Sequence, residues 1–340
     1  MRHLLLAVSL LAATTTSLRA QDAAPYHLQQ TLHIGGKGGW DYLTADPEHK
    51  LLYVTRSTHV MVVDASTDKL VADIPGQKGN HGVAIAPDAG RGFITDGKDA
   101  SVVIFDLKTN HVLGKIKAAE DADGILYDPA SNKILLVCGD SGVLIPISPD
   151  IDLATGKADP PIELGGKPEF FAVDAQGKAF VNLEDKNQIA VVDTHTMKVL
   201  AHWPVAPGGA PTGMAIDRQH GLLFIGCRKP QKMIVMDCTS GKILADLPIG
   251  AGVDATQFDD GYALASCRDG TLTVIKESSP NQFEVVQTLQ TKPGARTMGL
   301  DPITHTVYLP TAEYDPATLG QRRPTAKPDS FMILTVTRDH

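Results

Sequence analysis

Residues 40–76, WDYLTADPEHKLLYVTRSTHVMVVDASTDKLVADIPG, align with residues 81–117, HGVAIAPDAGRGFITDGKDASVVIFDLKTNHVLGKIK. Each stretch has a short apolar segment ending near Asp, a turn and a second apolar segment. A polar loop, a third segment ending in Asp, a Thr- or Asn-containing turn and a last apolar segment follow. No 3.6-residue period runs through either stretch, so helices are not expected. Working outward, the second segment has an equivalent apolar position in seven units: Tyr53, Phe93, Leu135, Phe180, Phe224, Leu264 and Tyr308, spaced 40 to 45 residues apart. Four short strands per unit at that period predict an all-β fold, a seven-bladed β-propeller.

The two ends of the chain complete this count. The seventh unit stops after a third strand at residues 331–338, and residues 28–34, LQQTLHI, resemble residues 285–291, VVQTLQT, a fourth strand. An unclosed ring would leave a bare strand edge between the first and last blades. The N-terminal strand is therefore expected to close the last blade, making residues 21–340 one propeller domain.

The chain has 340 residues, 43% hydrophobic and 21% charged, with 31 Gly and 22 Pro to supply turns. That composition excludes a largely disordered chain and a polytopic membrane protein. A formal charge of −8 argues against broad binding to a phosphate backbone, so nucleic acid is not an expected partner. Arg2 and His3 precede an apolar run at residues 4–13, and a small polar stretch leads to Ala20-Gln21. This is the order of a secretory signal, and the run is shorter than the ~20 residues that a bilayer span needs. Residues 1–20 are expected to be a cleaved signal peptide. The remainder is expected to be periplasmic or secreted, monomeric and without a membrane span.

The second-strand motifs Tyr53-Val54-Thr55-Arg56, Phe93-Ile94-Thr95-Asp96, Phe180-Val181-Asn182-Leu183 and Tyr308-Leu309-Pro310-Thr311 resemble the YVTN-type β-propeller repeat. Over nearly its whole length the chain resembles the secreted YncE-like proteins. The resemblance implies the fold and supplies no reaction; surface-layer and nucleic-acid-binding roles occur among distant relatives.

Aligning the repeats places one residue per blade at the start of the innermost strand: Asp41, His81, Asp123, Glu169, Thr212, Asp254 and Arg296. A water-filled channel needs some polar lining, yet a mixture of acids, an imidazole and a guanidinium on one axis also suits a ligand site. Asp41, His81, Asp123 and Glu169, from consecutive blades, offer oxygen and nitrogen ligands for a divalent metal, a possible cofactor. His81 and Glu169 are the candidate catalytic residues. The ends of the second strands supply a second layer: Arg56, Asp96, Cys138, Glu184, Arg228, Arg268 and Glu313, with His59 and Lys98 nearby. Arg228, Arg268 and Arg296 could form an electropositive wall that takes a substrate carboxylate, or simply join surface ion pairs.

Three functions are compatible with these residues. The first is a binding propeller using its central funnel for a small ligand or protein partner. The others are a metal-assisted, lactonase-like hydrolase and a protein- or nucleic-acid-interaction module, the last kept open by Arg228, Arg268, Arg322 and Arg323. Cys138, Cys227 and Cys267 occupy equivalent positions in different blades, too far apart for the ~7 Å of a disulfide, so the four cysteines, with Cys238, are expected to be free. Gly139-Asp140-Ser141-Gly142 reads as a turn, and residues 35–39, GGKGG, lack the Lys-Ser/Thr of a P-loop. Two long segments, residues 148–161 and 312–330, are either surface loops or lids over the funnel mouth.

Overall fold

The computed structural model describes residues 25–154, 156–316 and 324–338. The expected signal peptide, and Arg322 and Arg323, lie outside the described residues. Seven four-stranded antiparallel sheets form the ring. Blade one comprises Leu43–Asp46, Leu51–Thr55, His59–Asp64 and Lys69–Pro75, from the axis outward. Blades two to six occupy residues 80–117, 122–163, 168–204, 211–248 and 253–290. Blade seven takes Gly299–Asp301, Thr306–Thr311 and Met332–Arg338 from the C-terminal end and Tyr26–His33 from the other. No helix among the described residues is long and apolar enough to cross a membrane.

The recurrent Asp residues explain why the repeat is so regular. Where the third strand turns into the fourth, the carboxylates of Asp64, Asp106, Asp193 and Asp237 accept backbone N–H groups two or three residues on. Asp46, Asp128, Asp174, Asp217 and Asp301 do the same between the first and second strands. Such turns satisfy amides that strand pairing leaves unbonded. All of them lie on one face of the ring. The opposite face, where first strands begin and second strands end, carries the individual loops.

Seven apolar clusters cement the seven blade-to-blade interfaces. One joins Tyr53, Val60, Val62 and Ile74 of blade one to Val83, Ile94, Val103 and Phe105 of blade two. Another joins Leu43, Leu52, Val54 and Met61 to Leu32, Tyr308, Phe331 and Ile333 of blade seven. Burying each such side chain contributes about 1.5–3 kcal/mol, so every blade depends on both neighbours.

The closing strand runs antiparallel to the last one, from Tyr26 opposite Arg338 to His33 opposite Met332, with a bulge at Leu28–Gln30. It starts two residues earlier than the pattern suggested, because Tyr26 is itself an anchor. Its buried hydroxyl donates to Asp259 Oδ2 at 2.6 Å, and its ring stands edge-on to Tyr262.

Arg56 departs from the sequence-based expectation. It is fully buried and takes no part in the funnel layer. Its guanidinium donates to the carbonyl oxygens of Gly35, Gly36, Lys37, Gly38 and Gly39 at 3.0–3.3 Å and lies 3.8 Å from the Phe331 ring centre. Gly35, Gly36 and Gly38 have φ of 69°, 81° and 100°, a region other residues avoid, which lets the loop fold its carbonyls inward. The GGKGG stretch is thus a cradle for Arg56 that ties the closing strand to blade one.

Residues 148–161 are also not a funnel lid. They lie on the Asp-turn face, outside blades two and three. Arg91 donates to the carbonyls of Pro149 and Ile151, Ile151 is buried, and Lys133 pairs with Asp159 at 2.8 Å. The outer strand of blade three is correspondingly reduced to Ile162–Glu163.

Replacing Arg56 by Met keeps the bulk and removes the donors. The carbonyls gathered around it then lose their partner, and Arg56→Met is expected to lower the unfolding free energy in urea by about 2–4 kcal/mol. A loss within ~1 kcal/mol would show that the cradle does not hold the closure.

Candidate functional site

The repeat motif itself places the funnel residues. Where the third residue of a second strand's motif is polar, as at Thr55, Thr95, Asn182 and Ser266, it bonds the backbone of an inner strand. Thr55 Oγ1 donates to the Tyr42 carbonyl at 2.7 Å and lies 3.2 Å from that of His81, and Asn182 Nδ2 donates to the Thr212 carbonyl at 2.9 Å. Ser266 donates to the carbonyl of Arg296, and Thr297 to that of Asp41. The inner-strand starts of blades one, two, five and seven are therefore held by their own or the neighbouring blade, and the side chains there converge on one axis.

Directly below them the channel is closed. The position after each funnel residue reads Tyr42, Gly82, Gly124, Phe170, Gly213, Ala255 and Thr297. Tyr42 and Phe170, from blades one and four, stack across the axis with ring centres 4.9 Å apart and planes 14° from parallel. The Tyr42 hydroxyl donates to the Asp254 carbonyl at 2.7 Å, fixing the ring. Small residues elsewhere in this layer leave the space: a Cβ on Gly213 would sit 2.6 Å from Thr256. Sequence reasoning missed this plug, although its signal was two aromatics among small residues in the adjacent repeat position.

Above the plug the ionisable side chains form a nearly continuous necklace. Glu184 accepts from Arg228 Nη1 at 3.1 Å, and Arg228 Nη2 pairs with Asp254. Asp254 also pairs with Arg296 Nε, and Arg296 Nη2 lies 3.3 Å from Asp41. Asp41 bonds His81 Nδ1 at 2.8 Å, and that nitrogen is 3.5 Å from Asp123. The expected electropositive wall is therefore not open: Arg228 and Arg296 are both engaged by acids.

The necklace breaks between Asp123 and Glu169, where acid faces acid. Burial, then the Asp123 and Glu184 charges, holds the Glu169 carboxyl well above the ordinary carboxylate range, and its protonated form bonds Glu184. Burial also raises Asp123, opposed by His81 and reinforced by Asp41, Asp121 and Asp254. Burial works against a charged His81, but the hydrogen bond to Asp41 and the charges of Asp123, Asp41 and Asp121 hold its pKa up to about 9. Five carboxyl groups thus share three cationic side chains in a partly buried space.

Of the four residues expected to form a metal set, Asp41, His81 and Asp123 bring ligand atoms within 4.8 Å of one another, and Glu169 stays outside that group. Thr212 is buried, and its hydroxyl bonds the Ala210 carbonyl at 3.2 Å. Asp96 is buried, accepting the Lys78 and Gly79 amides, with Lys115 at 3.3 Å. Glu313 pairs with Lys292 on the surface at 2.8 Å. Arg268 lies beside Trp40 and Tyr314 on the funnel rim. The four cysteines are free; Cys138, Cys227 and Cys267 are buried, which pushes their thiols up to about 12.

No family model matches this chain, and no curated protein matches it. Among solved structures, a chain of Kuenenia stuttgartiensis hydrazine synthase is similar, with a TM-score of 0.70 and 14% identity over 82% of this chain and 94% of that one. At that identity the likeness carries the propeller fold alone.

The raised groups set a pH dependence of stability. Folded Glu169, Asp123 and His81 all hold protons more tightly than the unfolded chain does, so stability falls as pH rises through their folded values. For His81 that window runs from 6.5 to about 9. The melting temperature is expected to decline from pH 6 to about 9, with a shallower decline in Glu169→Gln, where the proton cannot leave. A flat or rising profile over that range contradicts these assignments.

Proposed function

We propose that this chain is a secreted or periplasmic member of the YVTN-type, YncE-like propellers that binds a small cationic ligand in its funnel. The N-terminal targeting pattern and the second-strand motifs support the location and family. One observation carries the ligand class: the necklace is complete except at Asp123 and Glu169, where acids outnumber their partners. A cation seated there replaces the protons that these carboxyls otherwise retain, and the plug denies it passage through the axis. The necklace around the gap tolerates positive charge and opposes negative charge, which with the net charge of −8 counts against nucleic acid.

A second proposal, metal-assisted hydrolysis, is favoured by the proximity of Asp41, His81 and Asp123. These residues fit a divalent ion in donor type, two carboxylates and an imidazole, once His81 has lost its proton. Glu169, outside that set and holding its proton, then stands as the candidate general acid on the adjoining blade.

Calorimetric titrations with 1,4-diaminobutane and, separately, Zn²⁺, Mn²⁺ and Ca²⁺ distinguish the two. Saturable binding with proton release is expected, weakened at least about tenfold in Asp123→Asn/Glu169→Gln. His81→Gln leaves diamine binding intact, because it removes a positive charge, whereas it abolishes binding of an ion that the imidazole ligates. Absence of binding by every probe overturns the cation-site proposal.

A further inference from the structure

A second recess opens on the funnel face between blades six, seven and one. It encloses about 360 Å³ and is lined chiefly by Trp40, Arg268, Arg296 and Tyr314, with Pro293 and Pro324. Its outer wall comes from the described ends of the 312–330 segment, which pair with each other. Tyr314 and Ala326 form a β-bridge, the Asp315 amide donates to the Thr325 carbonyl, and the Lys327 amide donates to that of Glu313. The Tyr314 ring packs 6.3 Å from Trp40, which packs 5.5 Å from Phe331. Gly294, at φ 82°, lets the tyrosine approach; a Cβ there would meet its hydroxyl at 2.1 Å.

The chemistry of this recess is opposite in sign to that of the acid gap. Its described lining holds two guanidinium groups and no acid. The remaining walls are aromatic rings and prolines. The indole ring of Trp40 forms part of this lining, while its N–H is buried with no hydrogen-bond partner. Arg296 is ion-paired with Asp254 and Asp41, which fixes its plane as one wall. Flat apolar walls and convergent donors select a planar ligand with one negative end, and the volume falls within the range of small-molecule sites.

We propose that this recess is a binding site for a small aromatic carboxylate. The ring lies against Trp40, Tyr314 and the prolines, and the carboxylate accepts from Arg268. The site is independent of the cation site: it shares Arg296 only as a wall, and either can fail without the other.

The chain holds two tryptophans, Trp40 and Trp203, and Trp203 lies beside Phe180 in blade four. Trp203→Phe therefore makes Trp40 the sole indole reporter. Titration of this protein with sodium benzoate is expected to change its emission saturably. Benzamide, of the same shape without the charge, should bind at least about tenfold more weakly. Arg268→Gln should weaken benzoate similarly, Tyr314→Ala should weaken it through the lost ring contact, and Asp123→Asn should leave it unchanged. Should Arg268→Gln fail to melt like its parent, Tyr314→Ala and the benzamide comparison decide. No saturable response to benzoate, equal affinity for benzamide, or full benzoate affinity in a well-folded Arg268→Gln or Tyr314→Ala overturns the proposal.

Discussion

The stack of Tyr42 on Phe170 across the propeller axis is the contact on which the site depends. A seven-bladed ring brings its inner strands together around a channel, and water in that channel would hydrate any charge lining it. Two rings 4.9 Å apart close it instead. Above them the acids of the necklace are partly buried; below them lies a recess of about 300 Å³ lined by Val83, Ile125, Leu126, Met298 and Leu300 together with Thr44 and Gln257. The same contact therefore makes a floor for the funnel and raises the proton affinity of Asp123 and Glu169.

Charges so placed are poor sources of stability. Ion pairs withdrawn from water gain little over apolar packing, and a surplus acid among them costs free energy. Five carboxyls against three cationic partners is an arrangement that packing alone does not call for. The cation binding proposed for the unmatched pair would account for it, since a cation there completes the ring. Arg56, Arg228 and Arg268 make the contrast plain, because all three end a second strand. Arg56 is consumed by a cradle of five carbonyls, Arg228 joins Glu184 to Asp254, and Arg268 walls a recess.

The fold was legible because its causes are local and repeated. Each Asp that ends a strand makes its own turn, as Asp64 does with Ser66 and Thr67, and each apolar position meets its counterpart one blade on. The closing strand was visible in residues 28–34, but its anchor Tyr26 was not, because its partners Asp259 and Tyr262 are distant in sequence. The column of funnel residues was legible for the same reason as the fold. Its pairings were not: nothing in the repeat shows that Arg228 and Arg296 converge on Asp254, or that Glu169 turns to Glu184 rather than joining Asp41, His81 and Asp123. Whether an arginine faces the funnel or a glycine loop depends on non-local backbone, which explains why Arg56 was misplaced.

The central claim is that the plugged axis keeps a funnel carboxyl protonated at neutral pH. Infrared difference spectroscopy of the carboxyl C=O stretch tests it most directly. At pH 7 the parent protein should show a protonated-carboxyl band that is lost in Glu169→Gln. The same band should be lost in Tyr42→Ala, where water enters the axis. A parent spectrum with every carboxyl ionised at pH 7, or a band that survives in Glu169→Gln, would contradict the account.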